Sequence, residues 1–250
     1  MVKEYAPKYY DGMPLGTPND QGSGIRLGQS VGGKTDHMDR VTAWRFLNPP
    51  LAFAQGIVVN KSGQRFCNEM VYGATLGDAM CEHNDGKAYL ILDESLLDDA
   101  KKQSKEALPF QRDMARMLMY FNAKKKSNLV DLAKVYGLPA DMLTEEVEKY
   151  NQAARSQSSC EFGKAASDVK ELKGPFHIMD ISIDSKLAPL TTLTLGGLVV
   201  NEETGEVLNQ DNQEIKGLYA AGRTAVGICS NIYVSGLSIA DCIFSGRRIG

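Results

Sequence analysis

Near the C-terminus, Tyr233-Val234-Ser235-Gly236-Leu237-Ser238 combines a phenol, two hydroxyls and a glycine where a polar loop runs into an amphipathic stretch. Gly236 can take a backbone geometry that other residues reach only with strain. The amides of Leu237, Ser238 and Ile239 then open a helix. There, unsatisfied N–H groups and the positive end of the helix dipole favour an anion or an electron-rich ring. Just upstream, Gly217 to Arg223 reads as a short apolar strand ending in a glycine turn, Ala221-Gly222-Arg223. Neither feature is specific alone, and a Gly–Ser helix start can exist with no ligand. Their spacing joins them into one candidate site.

Several elements must position that tail. The alternating Thr/Leu pattern after Asp184 and the run Gly197 to Val200 predict strands. Leu237 to Arg248 predicts a closing helix with Ile239, Ile243 and Phe244 on one apolar face. At the other end, the first fifty residues are rich in Gly and Pro and read as loops. Asp20 to Gly33 predicts a helix, with Asp20 or Ser23 as its cap. Between them, Gly56 to Glu69 predicts a β-hairpin turning at Ser62-Gly63. Lys87 to Asp93 predicts a buried strand, and Ser95 caps the helix after it. Met114 to Phe121 reads as helical. Ala140 to Ser156 is the clearest helix, because Leu143, Val147, Tyr150 and Ala154 recur with helical spacing after Pro139.

Composition narrows the classes. With 28 Lys+Arg against 31 Asp+Glu the net charge is −3, which implies neither a nucleic-acid nor an anionic-membrane partner. The one dense basic run, Lys124-Lys125-Lys126, reads as a solvated loop or helix end. The five cysteines are scattered without CxxC spacing. That argues against a disulfide framework or zinc site and fits a reducing cytoplasm. The three histidines form no ligand pair, so no metal is expected. No apolar N-terminal segment suggests a signal peptide, and no apolar run reaches the 18 residues or so of a membrane span.

Taken together, Leu195-Gly196-Gly197, residues 205–223 and Tyr233 to Arg248 resemble the C-terminal end of FAD flavoproteins of the fumarate reductase/succinate dehydrogenase and 3-ketosteroid dehydrogenase superfamily. Residues 56–69 resemble the opening of that family's cap domain, 137–151 its cap helix, and 20–33 the helix after its last N-terminal FAD-domain strand. The resemblance runs through nearly the whole chain in the family's order. It implies a mixed α/β or α+β fold: a remnant of a split FAD-binding domain with an inserted α+β cap (substrate) domain. Residues 1–50 and 184–250 would form the FAD-domain segments and 51–183 the cap. It also implies FAD as cofactor, touched by Ala221, Gly222, Arg223, Gly236, Leu237, Ser238 and Ile239. The family's G-x-G-x-x-G fingerprint is absent, since Gly22-Ser23-Gly24 continues as Ile25-Arg26-Leu27. The expectation is a C-terminal fragment that needs the missing N-terminal FAD-domain half to hold FAD tightly.

Within the family, Thr192 stands where fumarate reductases carry a histidine, and Tyr72 follows Arg65-Phe66-Cys67-Asn68-Glu69 where they carry an arginine. Both departures argue against binding two carboxylates, which calls for cationic groups. The tail tyrosine motif and Tyr72 instead resemble the 3-ketosteroid Δ4-(5α)-dehydrogenases, which implies an apolar ketone substrate. Desaturation beside a ketone needs a base for the α-proton and an acceptor for the β-hydrogen. A phenol becomes such a base where a helix N-terminus and a hydroxyl donor favour its anion. The resemblance makes Tyr233 the base, Ser235 its supporting donor and Tyr72 an assistant from the cap. Two alternatives stand beside this reading: a fumarate reductase-type flavoprotein, and a non-catalytic cap-like binding module.

Overall fold

A computed structural model describes all 250 residues. The chain forms two compact units, one from Met1–Ala43 with Thr191–Gly250 and the other from Trp44–Leu190.

The discontinuous unit is built from small sheets. Thr191–Thr194 pairs in parallel with Met13–Pro14, and Val41–Trp44 lies on its other side. Thr35–Asp36 runs antiparallel to Gly197–Leu198, and Glu206–Leu208 antiparallel to Glu214–Tyr219. Leu198, Val207, Ala220 and Ala225 form its small core, with Val200, Ile215 and Leu218 packed against them. The helix Ser23–Ser30 reaches this core because Gly28 has no side chain: a Cβ there would stand 2.4 Å from Leu198 Cδ1. No side chain caps that helix; Asp20 instead accepts from the Thr17 amide at 3.1 Å. The closing helix spans Leu237–Ile249, but its expected core face is bare, with Ile239, Ile243 and Phe244 60–66% exposed. The side chain it buries is Ser245, which leads back to Gly222.

The continuous unit carries a four-stranded antiparallel sheet in the order Ile57–Val59, Tyr89–Asp93, Phe176–Asp180, Lys124–Lys126. Tyr89–Asp93 is buried throughout, as an inner strand covered on both faces should be. Helices Leu51–Ala54, Gly73–His83, Glu94–Gln103, Pro109–Met117, Leu129–Lys134 and Ala140–Arg155 surround it. The lysine run is therefore an exposed edge strand, where clustered charge also blocks pairing with other chains. Asp93 rather than Ser95 caps the helix after the inner strand, accepting from the Leu96 amide at 2.8 Å. The apolar 114–121 stretch is the end of a helix running into a π-helical turn at Leu118–Asn122. Along Ala140–Arg155 the stripe holds for Leu143, Val147 and Tyr150. It ends in Asn151, whose side chain exchanges two hydrogen bonds with the Leu172 backbone.

The expected hairpin forms only its first strand and a single bridge, Val59 to Arg65. Past Arg65, the Glu69 carboxylate takes the place of a second strand. Its Oε1 accepts the Val58 amide at 3.0 Å and Arg65 Nε at 3.0 Å, and its Oε2 accepts Arg65 Nη2 at 2.8 Å. Lys164, fully buried, donates to Glu69 Oε2 at 3.2 Å and to the Gly56 carbonyl at 2.7 Å. Burial opposes charge on both cations. At Arg65 the pull of Glu69 more than offsets it and the pKa rises, whereas at Lys164 burial prevails and the pKa falls. Burial, then Glu69, pushes the Cys67 thiol up. All five cysteines are free thiols, and no helix is long and apolar enough to cross a membrane.

Candidate active site

In the discontinuous unit, the strand Glu214–Tyr219 delivers the chain to Ala221, which is extended, and then to a tight turn at Gly222–Thr224. Gly222 has φ +58°, and its amide donates to Ser245 Oγ at 3.0 Å, so the closing helix already engages one expected cofactor donor. Arg223 points outward. Its Nη1 lies 3.3 Å from Asp20 Oδ2, and its Nη2 donates to Thr194 Oγ1 at 3.4 Å.

The loop before the helix passes Asn231, whose Oδ1 lies 3.1 Å from His37 Nε2. That histidine sits at φ +56° in a turn pressed close to Gly196; a Cβ at Gly196 would stand 2.3 Å from the His37 carbonyl oxygen. Tyr233 is half-buried. Ser238 Oγ donates to its hydroxyl at 3.4 Å, across the turn that Gly236 makes at φ +85°. Nothing lies within 4 Å of where a Gly236 Cβ would be. The Leu237 amide bonds the Val234 carbonyl at 3.2 Å, and the helical ladder starts with the Ala240 amide on the Gly236 carbonyl. The amides of Ser238 and Ile239 fall between these, at positions with no acceptor inside a helix. Tyr233, Ser238, Gly222 and Arg223 line one small cleft of about 40 Å³, with Asp241 and Cys242 from the helix. Val234, Ser235 and Gly236 are exposed at its edge.

Tyr72 belongs to the other unit. It precedes the helix Gly73–His83, is 40% exposed, and stands edge-on to Trp44 with ring centroids 6.1 Å apart. Four tail residues therefore share one cleft, and Tyr72 is held separately. The sequence reading missed the Ser238 hydroxyl beside Tyr233, the His37–Asn231 contact and the Ser245 tie to Gly222. Each joins residues that no linear pattern pairs.

The family model described as the FAD binding domain matches residues 1–236, and the chain belongs to that family. It is 42% identical over 218 residues to a 3-oxo-5-alpha-steroid 4-dehydrogenase of Comamonas testosteroni, an alignment covering 86% of this chain and 41% of that protein. Its fold matches the crystal structure of 3-ketosteroid-delta4-(5alpha)-dehydrogenase from Rhodococcus jostii RHA1 in complex with 4-androstene-3,17-dione. There the TM-score is 0.83 and the identity 30%, over 99% of this chain and 48% of that one. An NADH:fumarate oxidoreductase of Klebsiella pneumoniae is 27% identical over all of this chain and 26% of its own length. The chain thus spans less than half the length of these relatives. The family makes it an FAD-linked flavoprotein of mixed helix and strand, with these steroid dehydrogenases more similar to it than this NADH:fumarate oxidoreductase.

Proposed function

We propose that this chain forms the substrate-handling and flavin-edge part of an FAD-dependent dehydrogenase that desaturates a carbon–carbon bond next to the ketone of a 3-ketosteroid-like substrate. The observation that carries the reading is the Tyr233 hydroxyl, hydrogen-bonded by Ser238 across the glycine turn that starts the Leu237–Ile249 helix. The donor set suits the electron-rich edge of a flavin. It combines the helix N-terminal amides of Ser238 and Ile239, an open approach at Gly236, and the guanidinium of Arg223 for ribose or phosphate oxygens. Bound FAD supplies the acceptor for the β-hydrogen as hydride.

The remaining chemistry belongs to the chain. The phenolate form of Tyr233 takes the α-proton and becomes the phenol, with Ser238 and Ser235 donating to its oxygen. The Gly236 amide donates to the ketone oxygen as enolate charge builds, and Tyr72 is the assisting donor of the other unit. The bare face of the closing helix (Ile239, Ile243, Phe244) suits an N-terminal FAD-domain segment of the kind the relatives' greater length leaves room for. Free thiols accord with a cytoplasmic setting.

The test joins this chain to an N-terminal FAD-domain segment from a relative, looks for flavin absorbance, and assays 3-ketosteroid desaturation with an artificial electron acceptor. Tyr233→Phe is expected to lower turnover by roughly 10²–10⁴-fold while flavin stays bound. A yellow protein active on fumarate and inert to ketosteroids would overturn the substrate class; unchanged turnover in Tyr233→Phe would remove the base.

A further inference from the structure

Where the chain enters the continuous unit, Trp44-Arg45-Phe46-Leu47 is extended, and its side chains alternate. Arg45 and Leu47 are buried, Phe46 is 41% exposed and Trp44 lies half-covered beside it. The buried side is anchored: the Arg45 amide donates to the Gly73 carbonyl at 3.0 Å, and Arg45 Nη2 to the Ala188 carbonyl at 2.8 Å. The outward side carries rings. Trp44 and Phe46 have centroids 4.4 Å apart at 46°, and Tyr72 closes the set edge-on to Trp44. Gly73 permits the arrangement, because a Cβ there would meet Trp44 Cδ1 at 3.0 Å and Phe46 Cδ1 at 3.1 Å.

We infer that Trp44, Phe46 and Tyr72 form a stacking platform that binds the apolar face of a flat, fused-ring ketone. The inference rests on the reading above and extends it from the reacting carbons to the ring system. Three features carry it. Phe46 and Tyr72 each hold about two-fifths of their area open, and with Trp44 they form one contiguous ring cluster rather than scattered exposed rings. Their backbone is pinned from behind by Arg45, so the rings are pre-ordered and binding costs little side-chain entropy. The one cation in the segment, Arg45, is turned to the buried side, so the outward face offers rings and the Tyr72 phenol rather than a carboxylate partner. Such a face selects a rigid apolar ligand with one polar end.

Trp44 is the chain's only tryptophan, which makes the platform its own reporter. The 250-residue chain is titrated with 4-androstene-3,17-dione, following tryptophan emission, and binding is measured in parallel by equilibrium dialysis. A saturable change in emission is expected, with Kd weakened about tenfold in Phe46→Ala and less in Phe46→Leu, and with thermal unfolding unchanged. Fumarate is expected to leave the emission unmoved. Steroid bound in dialysis with Trp44 emission unmoved, or with Phe46→Ala as tight as the parent, overturns the platform and leaves the ketosteroid reading standing. No steroid bound by either measure overturns the platform. Steroid turnover by the flavin-loaded assembly then decides the ketosteroid reading on its own.

Discussion

Glu69 and Tyr233 lie in opposite surroundings. Around Glu69, three charged side chains are withdrawn from water and bonded to one another and to backbone groups. Around Tyr233, Ile228, Ile232, Val234, Ile239, Ile243 and Phe244 all stand exposed. The Glu69 cluster spends its polar groups internally. The Tyr233 surroundings leave apolar side chains and helix-start amides outward. The buried cluster has no proposed part in the chemistry, whereas the proposed base and the helix-start amides sit in the open surroundings. Paired, buried groups resist change, whereas exposed donors stay available to a ligand.

The comparison breaks most readily at Glu69. Glu69→Ala leaves Arg65 and Lys164 buried without their shared carboxylate and the Val58 amide without its acceptor. A loss of about 3–5 kcal/mol is expected from removing one partner of a buried pair. Urea unfolding followed by Trp44 emission reads this directly, because the single tryptophan lies in the same unit. A loss near zero would show that the cluster is not what holds this unit together.

A smaller effect is expected at Asp93, whose two oxygens accept from Leu96 at 2.8 Å and from Lys173 at 3.2 Å. Asp93→Ala should cost about 1–2 kcal/mol through the lost cap. The opposite surface gives the contrast. Ile239→Ser with Ile243→Ser should shift stability of the chain by no more than about 0.5 kcal/mol each, since both side chains are already in water. The same pair should abolish recovery of bound flavin when an N-terminal FAD-domain segment is added. Retained flavin would mean that this face is not the seat of that segment.

These contrasts also mark what a linear reading can see. The helix Ala140–Arg155 was legible because its buried side repeats with helical period and Pro139 precedes it. The glycine turn into the closing helix was legible because Gly236 and the hydroxyls around it are a local signal. At 56–69 the turn at Ser62-Gly63 was legible, with Gly63 at φ +75° and Val59 bridged to Arg65 across it, but the missing second strand was not, because nothing in the residue types says that a glutamate will turn inward and accept the Val58 amide. The apolar stripe on the closing helix was found, but periodicity reports that a face is apolar, not that anything in the chain covers it. The Ser238 contact to Tyr233 was missed because two hydroxyls five residues apart meet only through the Gly236 turn.

The smallest effect separates a surface ion cluster from the buried one. Glu94 sits at the start of the Glu94–Gln103 helix, where Lys125 and His177 both donate to its carboxylate. Lys125, then His177, hold its pKa down to about 2, against an ordinary 4.5, with burial opposing them. A carboxylate whose pKa is depressed by folding adds stability that is fully present above the unfolded value and fades as pH falls toward the folded one. The stability difference between the parent and Glu94→Gln should therefore be steady near pH 7 and shrink between about pH 4.5 and pH 2. Because the carboxylate is partly in water, the difference at pH 7 should be within the range of about 0–1 kcal/mol seen for surface pairs. Urea unfolding at pH 7, 4.5 and 2.5 checks the sign. A difference that grows as the pH falls would mean that Glu94 is held as a neutral acid rather than as the anion in this cluster.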